Sequence, residues 1–128
     1  MWYVIALTLL YGPYNATLEE VIDAETLKLN VAVWPEEDKV LEIGVVGLDT
    51  PSVDGECDVE KLLAKEAMEM TRVFIGDQVR LTAVRKSAVN GNYYAKIFNK
   101  KGELLSEALI EAGYGAPYVK GKKASWCP

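Results

Sequence analysis

The sequence predicts an α+β, mainly β fold: a small five-stranded barrel with one long and one short helix, plus an extra strand at the N-terminus. Two observations carry this. Most of the chain falls into short runs that alternate apolar and polar residues, punctuated by Gly, Pro, Asn and Asp. One longer stretch, before the fourth core run, has helical spacing instead. The 128 residues suit a single domain, 1–128, long enough to bury a real core.

Residues 2–10, WYVIALTLL, are apolar and β-rich, and Gly12-Pro13 punctuates them. Thr17, Glu19 and Val21 alternate with Ala16, Leu18, Glu20 and Ile22, which reads as a strand over 16–22. Leu27, Leu29, Val31 and Val33 alternate with Thr26, Lys28, Asn30 and Ala32, a cleaner half-buried strand. Trp34 to Lys39 reads as a turn with an acidic tip, and Val40 to Leu48 as a third strand interrupted by Gly44 and Gly47. Asp49 to Glu56 reads as a loop.

Asp58 is the expected N-cap of the long helix, with Glu60 in its first turn, where the helix dipole favours a negative charge. Val59, Leu62, Leu63, Ala67, Met70 and Phe74 form the expected buried face, and Gly76 the stop. Val79 to Arg85 and Tyr93 to Phe98 alternate again, and Asn99-Lys100-Lys101-Gly102 reads as a turn. Ser106 is the expected cap of a short helix that runs through Ala112 to Gly113. The core therefore spans 16–113, between an apolar extension over 1–12 and a Gly-, Lys- and Pro-punctuated tail over 114–128. Five twisting strands with a helix before the fourth give an OB-type barrel.

Composition excludes several chemistries. The chain has no His, which removes imidazole triads, ligands and bases. Two Cys cannot build a four-cysteine zinc site. The apolar run Met1 to Leu10 is about half of the ~20 residues a bilayer needs, so no ordinary transmembrane span is expected. It has no Lys or Arg before its apolar run and no clear small-x-small cleavage site, so it is a poor export signal. It reads instead as an added strand or a contact with another chain. The net charge of −5 disfavours a generic nucleic-acid binder. That charge is unevenly spread: residues 1–60 carry thirteen acidic and two basic side chains, whereas 61–128 carry six and twelve. The asymmetry reads either as solvated faces or as a dipolar surface suited to a charged partner or head-to-tail packing.

Several segments, taken in order and spacing, resemble the staphylococcal-nuclease-like (thermonuclease) family over roughly residues 16–127. They are Ile22-Asp23-Ala24-Glu25-Thr26-Leu27-Lys28-Leu29, Val46-Gly47-Leu48-Asp49-Thr50-Pro51, Glu60 to Ala67, Leu105 to Tyr114 and Ala116-Pro117-Tyr118. Cys57 after the Asp-Thr-Pro loop and the terminal Trp126-Cys127 look like a bacterial branch with two cysteines at these places. The resemblance implies an OB barrel with helices and, in active members, a calcium-dependent phosphodiesterase acting on DNA and RNA. Such a site needs carboxylates and a carbonyl for Ca²⁺, a Glu after the Asp-Thr-Pro triplet, and two phosphate-binding Arg.

Against that pattern, Asp23-Ala24-Glu25 stands where the family has Asp-Gly-Asp, and Asp49 with the Thr50 carbonyl matches the rest of the metal site. The resemblance thus implies a residual, weak calcium site at Glu25, Asp49 and Thr50 with Asp23 nearby. Acidic turn residues that hydrogen-bond backbone N–H groups are the other reading of the same residues. Gly44 and Asn92 fall at the two Arg positions, and Ser52 at the Glu position. Losing one preorganised donor typically costs ~10²–10³ in rate, and losing a positioned acid–base group ~10²–10⁴, not additively. Asp54, Glu56, Arg85, Lys86 and Lys96 are the neighbours that could compensate; as surface charges they need no such role.

Cys57 and Cys127 read as a disulfide or as two reduced thiols, and the two-cysteine resemblance favours the bond. With it comes an extracytoplasmic or assembly-associated setting over a cytoplasmic one. The expected role is a non-catalytic nuclease-like module, needing no cofactor, in a larger assembly such as a phage particle. Its partners would be other protein chains, including copies of itself. A weak calcium-dependent nuclease built from Glu25, Asp49, Glu56 and Lys96 is the second reading. A nucleic-acid-binding module that stacks bases on Tyr93 and Tyr94 is the third.

Overall fold

The computed structural model describes residues 13–34 and 37–128. Five strands close into a barrel in the order β1 (Tyr14–Asp23), β2 (Thr26–Trp34), β3 (Glu37–Val45), β6 (Tyr93–Phe98), β5 (Gln78–Lys86). Helix α1 (Asp58–Ile75) lies in the chain between β3 and β5, and the short helix α2 (Leu105–Glu111) follows β6. This is the small, mainly β, OB-like α+β architecture that the alternating runs predict. The extra N-terminal strand and the centre of the acidic turn lie outside the described residues.

Alternation puts Leu27, Leu29 and Val31 of β2 inside, where they meet Ile43 of β3, Leu81 of β5, and Ala95 and Ile97 of β6. All ladders are antiparallel except β3 with β6, which run parallel from Ile43↔Tyr93 to Val45↔Ala95. In β1 the buried parity switches from Ala16 to Val21, because a register shift between Leu18 and Glu20 moves the strand by one residue. The interior is capped by Leu105 and Leu109 of α2, both fully buried.

Several boundaries differ from the sequence reading. The third strand ends at Val45, not Leu48. Gly47, at φ +76°, turns the chain into a separate two-residue strand β4 (Leu48–Asp49), which pairs with β7 (Ala116–Pro117) from the tail. The long helix is capped by Cys57 rather than Asp58: its sulfur accepts the Glu60 N–H at 3.4 Å. The helix's buried stripe is Glu60, Ala64, Ala67, Thr71 and Ile75; Val59 and Leu62 face solvent. Small side chains face inward where α1 packs on β1 and α2, and buried Thr71 is satisfied by donating to the Ala67 carbonyl at 2.9 Å. Helix α2 starts two residues earlier than a Ser106 cap implies, with Leu104 at the N-cap position and no side-chain cap.

Strand β5 carries a bulge that matters for the site. Thr82 pairs with Lys96 and Arg85 with Tyr94, so β5 has one residue more than its partner. The extra residue is absorbed at Ala83, which adopts a left-handed φ of +53°. Without it, Arg85 would continue the inward parity of Val79 and Leu81; with it, Arg85 is exposed. A left-handed Ala costs about 1–2 kcal/mol and a Gly costs back about 0.5–1 in chain entropy. Ala83→Gly should therefore leave stability equal or raise it by up to about 1 kcal/mol, whereas Ala83→Val should lower it, as read by urea unfolding.

Candidate functional site

The β1–β2 turn brings Asp23 and Glu25 to one end of the barrel. Asp23 Oδ1 accepts the Glu25 N–H at 2.9 Å, and the Glu25 carbonyl accepts the Val45 N–H at 2.8 Å. Asp49 and Thr50, both buried, arrive from β4. The Glu25 carboxyl is pushed up to about 7, first by burial and then by Asp23 and Asp49; the Thr50 N–H and the Lys123 ammonium pull it the other way. The structure thus assembles Asp23, Glu25, Asp49 and Thr50 into one cluster.

The tail supplies the rest of that cluster. Tyr118 N–H donates to the Gly47 carbonyl at 3.0 Å, which continues the β4–β7 pairing. Further on, the Ala124 N–H donates to Asp49 Oδ2 at 2.8 Å. Cys127 closes the tail onto Cys57 through a disulfide, with Cα atoms 6.0 Å apart. Calcium wants six to eight oxygen ligands at 2.3–2.6 Å. Here one Asp49 oxygen and one Asp23 oxygen are already held by backbone N–H groups. Among the described residues no group of three or more Asp, Glu, His or Cys side chains is placed to hold a metal ion. Two of the cluster's carboxylate oxygens are thus engaged by backbone N–H groups of the chain itself.

Positions 44 and 92, where the resemblance would place Arg, hold Gly and Asn. Gly44 is buried, and a Cβ there would sit 2.7 Å from Cδ1 and Cε1 of Tyr94, its partner in the parallel ladder. The Tyr94 ring thus lies where a side chain at position 44 would start. Asn92 is exposed in a turn, its N–H held by Asn90 Oδ1 at 2.9 Å and its carbonyl by the Ser87 N–H at 2.7 Å. A cleft of about 630 Å³ opens beside the cluster, lined by Glu25, Gly44, Arg85, Asn90, Tyr94 and Tyr118 among others. Arg85 is therefore the cation the β5 bulge delivers to this side. Lys96 and Glu56 do not line the cleft, and Lys86 sits 5.6 Å from the centre of the Tyr93 ring.

Ser52 is not poised as a base. Its Oγ accepts the Asp54 N–H at 3.1 Å, and its own N–H donates to Glu60 Oε2 at 3.0 Å. Glu60 Oε1 accepts the Glu56 N–H at 3.2 Å. Glu60 is buried, and these N–H groups, Ser52 foremost, hold its carboxyl below the usual carboxylate range. Gly55 permits the arrangement: a Cβ there would lie 2.4 Å from Glu60 Cδ. Asp54 and Glu56 point their side chains outward, so the loop's interior carboxylate comes from α1.

Sequence reading placed Glu60 in the first turn of α1 only as a charge for the helix dipole, and passed over Lys123. A Glu three residues after a helix cap is a capping-box signal, visible at Cys57-Asp58-Val59-Glu60 once Cys57 is taken as the cap. Nothing local marks Lys123. No protein-family model and no curated protein matches the chain.

Two outcomes follow from this geometry. Glu25 binds its proton more tightly folded than unfolded, so its ionisation works against folding as pH rises from about 4.5 to about 7. With EDTA present, Glu25→Gln should gain on the order of 1–2 kcal/mol over wild type at pH 8 and nothing at pH 4, after allowance for solvent screening. Urea unfolding at the two pH values reads this; an equal difference at both would contradict it. Gly55→Ala should push the Glu60 carboxylate off the loop and speed amide exchange at Ser52 and Glu56, leaving the β2 amides protected.

Proposed function

We propose that the chain is a non-catalytic nuclease-like barrel module that serves as a structural or interaction component of a larger assembly. One observation carries the reading: the positions that would do chemistry are occupied by the chain's own atoms. The Ala124 N–H takes Asp49 Oδ2, the Tyr94 ring takes the space at Gly44, and Ser52 is engaged in its own loop. The lack of any cation at positions 44 and 92 agrees with this. Helix α1 also presents Val59, Leu62 and Val73 to solvent, apolar surface that a protein partner would cover. No described helix is long and apolar enough to cross a membrane.

A second reading rests on Arg85. It shares a cleft with Glu25 and Tyr118, an arrangement from which a weak phosphodiesterase or a phosphate-binding site could be built. Incubation of the purified chain with single-stranded DNA and with RNA, in Ca²⁺ and in EDTA, separates the two. The module reading expects no cleavage in either condition. Calcium-dependent cutting lost in both Arg85→Ala and Asp49→Ala would establish the second. The module reading also expects concentration-dependent self-association by light scattering, and a clean monomer at high concentration would count against it.

A further inference from the structure

We propose that residues 116–127 form a redox-releasable strap that closes the Asp49–Glu25 cluster for as long as the Cys57–Cys127 disulfide is intact. The inference stands whether or not the opened site does chemistry.

The strap's non-covalent hold is thin. Its hydrogen bonds to the rest of the fold are the two-residue β4–β7 pairing, the Tyr118 N–H on the Gly47 carbonyl, and the Ala124 N–H on Asp49, and of its large side chains only Trp126 is half-buried. Residues 117–123 are exposed, and the strap's one internal pairing is the bridge from Val119 to Lys122. Closing it also buries Trp126 Nε1 with no hydrogen-bond partner among the described residues, which opposes closure. Ten or so residues are thereby ordered for few contacts, against their chain entropy. What keeps them seated is covalent: the disulfide tethers the far end of the tail at Cys127 to Cys57, so the segment is held at both ends.

The barrel does not need the strap in the same way. Its seventeen-residue buried cluster ends at Leu109, before the strap begins. Reduction by a dithiol transfers two electrons and two protons to the cystine. This breaks the S–S bond, leaves thiols at Cys57 and Cys127, and closes the reductant into its own disulfide. The strap then lifts, the Ala124 N–H leaves Asp49, and the Lys123 charge moves away from Glu25. The barrel remains folded.

The test uses the full chain, oxidised or treated with dithiothreitol. Carboxyl groups are amidated with a carbodiimide and glycine ethyl ester and read by mass spectrometry. Trypsin cleavage after Lys120, Lys122 and Lys123 is followed in parallel. Reduction should raise Asp49 labelling about fivefold or more and speed tail cleavage by a similar factor, with circular dichroism and a cooperative melt retained. Ala124→Pro, with the disulfide kept, removes the N–H donor and should raise Asp49 labelling with little change in cleavage after Lys120 and Lys122, the Lys123–Pro bond it creates being no longer a trypsin site. Asp49 labelling unchanged on reduction overturns the proposal. So does loss of the cooperative melt on reduction, which would make the disulfide a staple of the whole barrel. Unchanged Asp49 labelling in Ala124→Pro removes Ala124 as its occupant and overturns it as well.

Discussion

The hydrogen bond from the Ala124 N–H to Asp49 joins groups 75 positions apart and holds the buried carboxylate at the centre of the site. A buried carboxylate without partners would be costly, and a metal is one way to satisfy it. Here the chain satisfies Asp49 with its own tail and places the Lys123 ammonium within electrostatic reach of Glu25 and Glu60. The cystine makes this affordable. Closing a loop of 70 residues removes about 4 kcal/mol of unfolded-state entropy by the loop model, comparable to what ordering a few tail residues costs.

The same economy runs through the neighbouring loop. Cys57 is at once half of the cystine and the cap of α1, and Glu60 one turn on gathers the Ser52 and Glu56 N–H groups. The loop that follows Asp49 is thereby pinned from the helix side, and Asp49 itself from the tail side. Gly44 and Gly55 are small for a physical reason in each case: the Tyr94 ring lies against one and the Glu60 carboxylate against the other. At position 44 the absence of a side chain is a packing solution, so placing a cation there would require displacing an aromatic ring.

The barrel was legible in the sequence because period-two alternation is a local property. Leu27, Leu29 and Val31 announce an inward face without knowledge of their partners. The orientation of α1 was legible in part. Ala67 is buried as its spacing implies, and Met70 and Phe74 pack half-buried against the core, but Val59 and Leu62 face out while Ala64 and Thr71 face in, because the helix packs closely on β1. A buried Glu60 cannot be read as a core residue from hydropathy at all. The parity change at Ala83 likewise has no local signature, since Ala is an uncommon left-handed residue. At the site, the gathering of Asp23, Glu25, Asp49 and Thr50 follows from the order of the motifs. The occupation of Asp49 does not, because the tail has no periodic pattern and its placement depends on contacts far along the chain.

On the function proposed above, Asp49 serves the tail in place of a cation. A crystal structure of the oxidised chain grown in excess calcium chloride tests it most directly. Ala124 N should still lie within hydrogen-bond distance of Asp49 Oδ2, with no ion in the cluster. A calcium ion ligated by Asp49 and Glu25 at about 2.3–2.6 Å, with the tail displaced, would contradict it.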